Sequence, residues 1–272
     1  MTDARPSIEL VVTDLDGTLW ERPDSVPQRT KDALHDVLGG DVPLLVATGR
    51  RIVSTRDPLA ELGVSPPSVV LNGALGLDLH TLDRFHVGGF EPEDAARVLR
   101  VFADHGIDPC VYVDHDAPSV WVGDAPSTAR AHLASFGDDV GTAVLTEVVE
   151  QHAVLAFGVL GIDPAVAEAI GTTIRSVATP HVAPDRQYGG AAVTVAPPTG
   201  SKWDGIAAFC DARDLDPSAV LVLGDGPNDV EMLDAARVAV VPEDAHPLAL
   251  ERADHVIGRA ADGGWADVIE LL

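Results

Sequence analysis

Four short apolar runs, each ending abruptly in a polar cluster, constrain this chain more than any other feature. Ile8 to Val12 stops at Asp14-Leu15-Asp16-Gly17-Thr18, and Pro43 to Ala47 stops at Thr48-Gly49-Arg50. Val69 to Leu71 stops at Asn72-Gly73-Ala74, and Ala219 to Leu223 stops at Gly224-Asp225-Gly226-Pro227-Asn228-Asp229. Continuous apolar runs of this length between turn signals read as strands buried on both faces, the habit of parallel sheets. The segments between them have helical period. Ala33, Leu34, Val37 and Leu38 share one face after Ser25-Val26-Pro27, with Gly39-Gly40 as the stop. Ile52, Leu59 and Leu62 do the same, with Gly63 ending the helix. Strand alternating with helix predicts a doubly wound parallel sheet.

The rhythm changes after residue 76. Leu75 to His80 and Arg84 to Val87 read as a hairpin, and Glu91-Pro92 opens a helix with Ala95, Val98, Leu99 and Phe102 inward. Strands are expected at Pro109 to Val113, Val120 to Val122, Val154 to Leu160 and Ala192 to Ala196. Helices are expected at Ser127 to Phe136 and from Asp163-Pro164 to about Val177. Pro197-Pro198-Thr199-Gly200 reads as a linker, and Ser201 with Asp204 forms a capping-box start for a helix carrying Lys202 in its first turn. The expected architecture is α/β: a discontinuous, Rossmann-like core of residues 1–76 and 197–272, with an α+β cap inserted over 77–196.

Composition narrows the partners. The 272 residues carry a net charge of −25, which argues against nucleic acid or an anionic membrane surface, since both require a positive footprint. No apolar run approaches the ~20 residues of a bilayer span. The acids and proline near the N-terminus give no export signal, and Cys110 and Cys210 lack metal-ligand spacing, so a cytoplasmic location is expected. Lys31 and Lys202 are the only lysines. High-salt adaptation and genome composition both account for the acidity, and stability measured against KCl separates them.

Each polar cluster has an ordinary explanation. Asp14 and Asp16, at i and i+2 of an extended chain, should project together beyond the strand end, and the ordinary alternative is an Asp-Gly turn with Asp16 bonding its own backbone. Thr48 could be a turn former, Lys202 a solvated helix residue, and Asp229 a partner for a helix dipole. Ligands in open parallel sheets bind beyond the carboxyl ends of the strands, so all four clusters can converge there. Gly200-Ser201-Lys202 lacks the order of a P-loop, and Asp14 to Gly17 lacks the later acids of a calcium loop.

With these motifs in this order, the chain resembles the haloacid dehalogenase superfamily of phosphohydrolases, in particular its Cof-like branch. The resemblance rests on Val12-Thr13-Asp14-Leu15-Asp16-Gly17-Thr18, Leu45-Val46-Ala47-Thr48-Gly49-Arg50, Asn72-Gly73-Ala74, Gly200-Ser201-Lys202 and Gly224 to Asp229, and covers nearly the whole chain. It implies that Asp14 is the nucleophile and Asp16 the proton carrier. It implies Mg²⁺ held by Asp14, Asp225 and the Asp16 backbone carbonyl, with Thr48 and Lys202 on the phosphoryl oxygens. Arg50, Asn72 and Asn228 would face substrate, and Asp229 would orient Lys202 or the metal shell. The expected activity is phosphate release from a small phosphorylated metabolite, a sugar or polyol phosphate. A phosphomutase, using His181, Arg186, Arg84 or Arg97 in the cap for a second phosphate, and a non-catalytic phosphate-binding module are the alternatives. Dehalogenation is disfavoured, because a halide leaving group needs no protonation. Oligomeric state is open.

Overall fold

The computed structural model describes residues 8–115, 117–185, 187–198 and 200–272. Arg186, considered above for a second phosphate site, and Thr199 of the expected linker lie outside them. Two compact units emerge, one of residues 8–86 with 201–272 and one of Val87–Gly200.

In the first unit, strands β1 (Leu10–Thr13), β2 (Leu44–Ala47) and β3 (Ser68–Val70) lie side by side and parallel. β4 (Leu75–Leu77) pairs antiparallel with β3, and β5 (Arg84–Val87) follows at the sheet edge. The hairpin expected to open the cap therefore extends the core sheet. Leu71 and Asn72, both at positive φ (53° and 55°), turn the chain back so that β4 returns along β3. That turn also ends the third strand at Val70, one residue earlier than the apolar run suggested. Arg84, considered above as a cap residue, sits on this sheet.

The second unit holds six strands: β6 (Cys110–Val113), β7 (Val120–Val122), β8 (Val140–Thr142), β9 (Val154–Ile162), β10 (Thr179–Pro184) and β11 (Ala191–Ala196). Their order is β10-β11-β9-β6-β7-β8, and only β7 and β8 run parallel. Alternate strand residues such as Val111, Phe157, Val159, Val193 and Val195 pack against Val98, Phe102 and Ile170 of the helices, an apolar core of its own. The helix expected over Ser127 to Phe136 is confined to Arg130–Ala134, because Thr128 accepts the Leu160 N–H and ties the chain to β9.

The chain then returns to the first sheet with β12 (Val220–Leu223), β13 (Val238–Pro242) and β14 (His255–Ile257). The full order is β14-β13-β12-β1-β2-β3-β4-β5. From β1 the chain first builds outward one way, and after the insertion it builds the other way from β12. The sheet order therefore reverses between β1 and β12, where crevices form at strand carboxyl ends. The helix Lys202–Ala212 begins beside this reversal, and its predicted capping box is formed: Ser201 Oγ accepts the Asp204 N–H and Asp204 accepts the Ser201 N–H. Among the described residues, no helix is long and apolar enough to cross a membrane.

Candidate active site

β1 stops at Thr13 because the chain closes a tight turn there. The Leu15 carbonyl accepts the N–H groups of Thr18, Leu19 and Trp20, and Gly17 N–H donates to the Trp20 carbonyl. Gly17 has φ +83°, and a Cβ there would collide with the Asp225 carboxylate. Glycine thus allows both the turn and the approach of a second acidic loop. Asp14 itself stays in the ladder, its N–H donating to the Leu223 carbonyl at 2.9 Å.

This turn parts the two aspartates. Asp14 points inward and is 6% exposed, whereas the Asp16 side chain is 49% exposed. Both still border one cavity, but they differ in burial, because the two-residue repeat of a strand no longer applies once the strand has ended. Asp16 also has donors of its own. Its oxygens accept from Arg50 Nε and Nη2, both at 2.5 Å, and from Trp20 Nε1 at 3.1 Å.

Lys202 is 1% exposed, and its ammonium donates to Asp14 Oδ1 at 2.7 Å and Asp229 Oδ1 at 2.6 Å. Asp229, fully buried, uses Oδ2 to accept the backbone N–H groups of Asp225 and Gly226 at 2.9 and 2.8 Å. One carboxylate therefore aims the lysine and shapes the loop that presents Asp225. Thr18 Oγ1 donates to Asp225 Oδ1 at 3.2 Å. The helix start reaches this place because Gly73, at φ +105°, lies against the Ser201 carbonyl where no Cβ would fit.

Electrostatics follow from burial. Desolvation pushes the Asp14 carboxyl well above its usual range, Asp229 and Asp225 add to the push, and Lys202 opposes it. Asp225 is pushed up to about 7, by burial first and then by Asp229. Burial alone would lower Lys202, but the carboxylates of Asp14 and Asp229 outweigh it and hold the ammonium charged. Asp14, Asp225 and Asp229 place carboxylate oxygens within 4.8 Å of one another. When all are ionised, three carboxylates facing one ammonium leave two negative charges unmatched, a deficit that a divalent cation would match. All-oxygen donors suit a hard ion.

A cavity of about 270 Å³ opens over this cluster, lined by Asp14, Asp16, Thr48, Arg50, Asp225 and Asn228 among others. Lys202 and Asn72 are not on its wall. Lys202 instead donates to Asp14 and Asp229, and Asn72 accepts a hydrogen bond from Asn228 Nδ2 at 3.0 Å. Asn72 N–H and Leu71 N–H also donate to the carbonyls of Thr48 and Arg50, lacing the third polar cluster to the second. Thr48 Oγ1 accepts the Arg50 N–H at 3.2 Å. Of the residues considered for a second phosphate, Arg97 pairs with Asp94 and Arg84 lies on the core sheet.

Two tryptophans escaped the sequence reading. Trp20 bonds Asp16, and Trp265 donates to Thr13 Oγ1 at 2.9 Å; both are fully buried. Aromatic residues are only 4% of the chain, so a tryptophan four residues after Asp16 was the available signal.

The chain belongs to the haloacid dehalogenase-like hydrolase family, which it matches over residues 11–269. It is 39% identical over 80 residues to a phosphoglycolate phosphatase of Haloarcula marismortui, covering 29% of this chain and 35% of that one. It is 26% identical to the chloroplastic endoribonuclease YBEY of Arabidopsis thaliana, over 97% of this chain and 46% of that one. These two alignments thus span less than half of the relatives' length. A phosphoglycolate phosphatase of Methanopyrus kandleri is 23% identical, over 97% of this chain and 96% of its own. The fold matches a haloacid dehalogenase-like hydrolase from B. subtilis (TM-score 0.79, 18% identity, 97% of this chain and 99% of that one). It also matches a subclass IIB sugar phosphatase (TM-score 0.73, 20% identity, 96% and 98%).

Proposed function

We propose that the protein is a Mg²⁺-dependent phosphatase that releases phosphate from a small phosphorylated metabolite through a phosphoaspartate on Asp14. The observation that carries this reading is the charge deficit of the buried cluster. Asp14, Asp225 and Asp229 face a single Lys202 at the floor of a cavity also lined by Arg50 and Thr48. Asp14, Asp225 and the Asp16 carbonyl would hold the metal, which supplies positive charge where two anions must meet.

A phosphate dianion repels a carboxylate nucleophile, so attack requires that the site be electropositive on balance. Lys202 occupies Asp14 Oδ1 and leaves the other oxygen to form the new bond to phosphorus. As the ester P–O bond breaks, Asp16 gives its proton to the departing alkoxide. Water then attacks the same phosphorus, Asp16 takes the water's proton, and the bond to Asp14 breaks to release orthophosphate. Arg50 and Thr48 are the groups on the cavity wall suited to phosphoryl oxygens. In a chain of net charge −25, this local concentration of cations is what admits an anionic substrate. The cap, by this reading, sets specificity.

The test is a panel of sugar, polyol and small-acid phosphates with released phosphate assayed. Turnover that requires Mg²⁺ and is lost in Asp14→Asn is expected. Turnover persisting in Asp14→Asn, or full activity in excess chelator, would overturn the proposal.

A further inference from the structure

We infer that Trp20 and Arg50 are positioning residues for Asp16, together leaving one lone pair on its Oδ2 as the place where the transferred proton sits. The inference rests on the phosphatase reading above and adds to it the atom that carries the proton.

Asp16 is a short, half-exposed side chain that must hold one orientation while it gives and then takes a proton. Left free, it would sample several rotamers, most of them unproductive. The structure supplies three fixed donors. Trp20 Nε1 and Arg50 Nη2 both donate to Oδ1, and Arg50 Nε donates to Oδ2. A carboxylate offers about four lone-pair sites on its two oxygens, so Oδ1 is filled and Oδ2 keeps one.

The donors are themselves held. Trp20 is fully buried, and its indole ring lies under the Arg50 guanidinium at 5.6 Å from centroid to Cζ. Arg50 Nη1 donates to the Ser54 carbonyl at 2.9 Å, and the Arg50 backbone N–H donates to Thr48 Oγ1. The guanidinium thus joins the first polar cluster to the second through a forked pair that a lysine cannot copy. Trp20 is not on the cavity wall, so it acts on the reaction only through its neighbours.

The experiment compares kcat/KM for two esters of similar shape, 4-nitrophenyl phosphate and benzyl phosphate. This parameter reports steps up to phosphoaspartate formation. 4-Nitrophenolate departs without a proton, whereas the benzyl alkoxide needs one. Effects on phosphate binding are common to both esters and cancel in the ratio of the two constants. In Asp16→Asn the ratio of aryl to benzyl should rise by about 10²-fold or more, the usual worth of general acid catalysis. Trp20→Phe, which keeps the ring and loses the N–H, should raise it about tenfold. Arg50→Lys, at a partly exposed position, should raise it likewise and reads the same effect should Trp20→Phe not fold. In the Asp16→Asn background neither substitution should raise it further. A ratio that moves in Asp16→Asn but in neither other variant overturns the inference while leaving the phosphatase reading intact. A wild type that hydrolyses neither ester nor any member of the metabolite panel overturns the phosphatase reading itself.

Discussion

The two sheets of this molecule bury different things. Within Val87–Gly200 the core is mainly apolar, with Phe157, Phe102 and Val193 typical, and among the described residues its buried polar ones are Thr128 and His132, which hydrogen-bond each other. In the other unit the buried charges Asp14, Lys202 and Asp229 gather at the carboxyl ends of β1 and β12. Burying charge is strongly unfavourable unless it is paired, and even paired it seldom stabilises more than a hydrophobic set would. A fold that keeps three such charges in one place has reserved that place for chemistry. The cap sheet, by contrast, is held by volume and shape.

That contrast can be broken at several strengths. Lys202→Met leaves the carboxylates without their counter-charge, so it should lower unfolding free energy by about 3–5 kcal/mol at pH 8 and abolish turnover. Burial already favours protonation of Asp14 and Asp225. Folded protein therefore binds more protons than unfolded chain, and the deficit should shrink as pH falls to 5. Urea unfolding at the two pH values measures it, and an equal deficit at both would remove charge as the cause. Phe157→Ala in the cap should cost about 3–5 kcal/mol as well, through a cavity, but with no change between pH 5 and 8. A pH-dependent loss there would erase the distinction between the units.

The smallest effect is on the wild type. With Asp225 at about 7 rather than the usual carboxylate value of 3.8, its own contribution to stability without metal should be full below pH 4 and be lost as pH rises through about 7. If Mg²⁺ is held as proposed, it requires the ionised cluster, so the gain in Tm on adding it should grow from pH 5 to pH 8 and vanish in Asp225→Asn. A gain in Tm independent of pH would place the ion elsewhere.

Much of the site was legible before any coordinates. Asp14, Thr48, Asp225 and Asn228 were read from strand ends and meet at one cavity, and Ser201 with Asp204 caps the helix that delivers Lys202. Asp229 accepts a hydrogen bond from the Lys202 ammonium. These readings succeed because strand period, helix caps and glycine turns are short-range properties, decided within a few residues. The unequal burial of Asp14 and Asp16 was hidden, since it depends on where β1 ceases to pair. So were the Asn72–Asn228 bridge and the Trp20–Asp16 bond, made by side chains whose meeting is set by packing.

By itself, then, the sequence determined a parallel α/β core, the inserted unit and the chemical identity of the groups at the strand ends. Tertiary structure alone decided that the hairpin 75–87 joins the core sheet, that Lys202 donates to Asp14 and Asp229 rather than lining the cavity, and that Asp16 belongs to Arg50 and Trp20. The physical reason is one of range. Local periodicity dictates which face a residue takes, but a carboxylate's partner is chosen by which loops the sheet order brings within 3 Å of it.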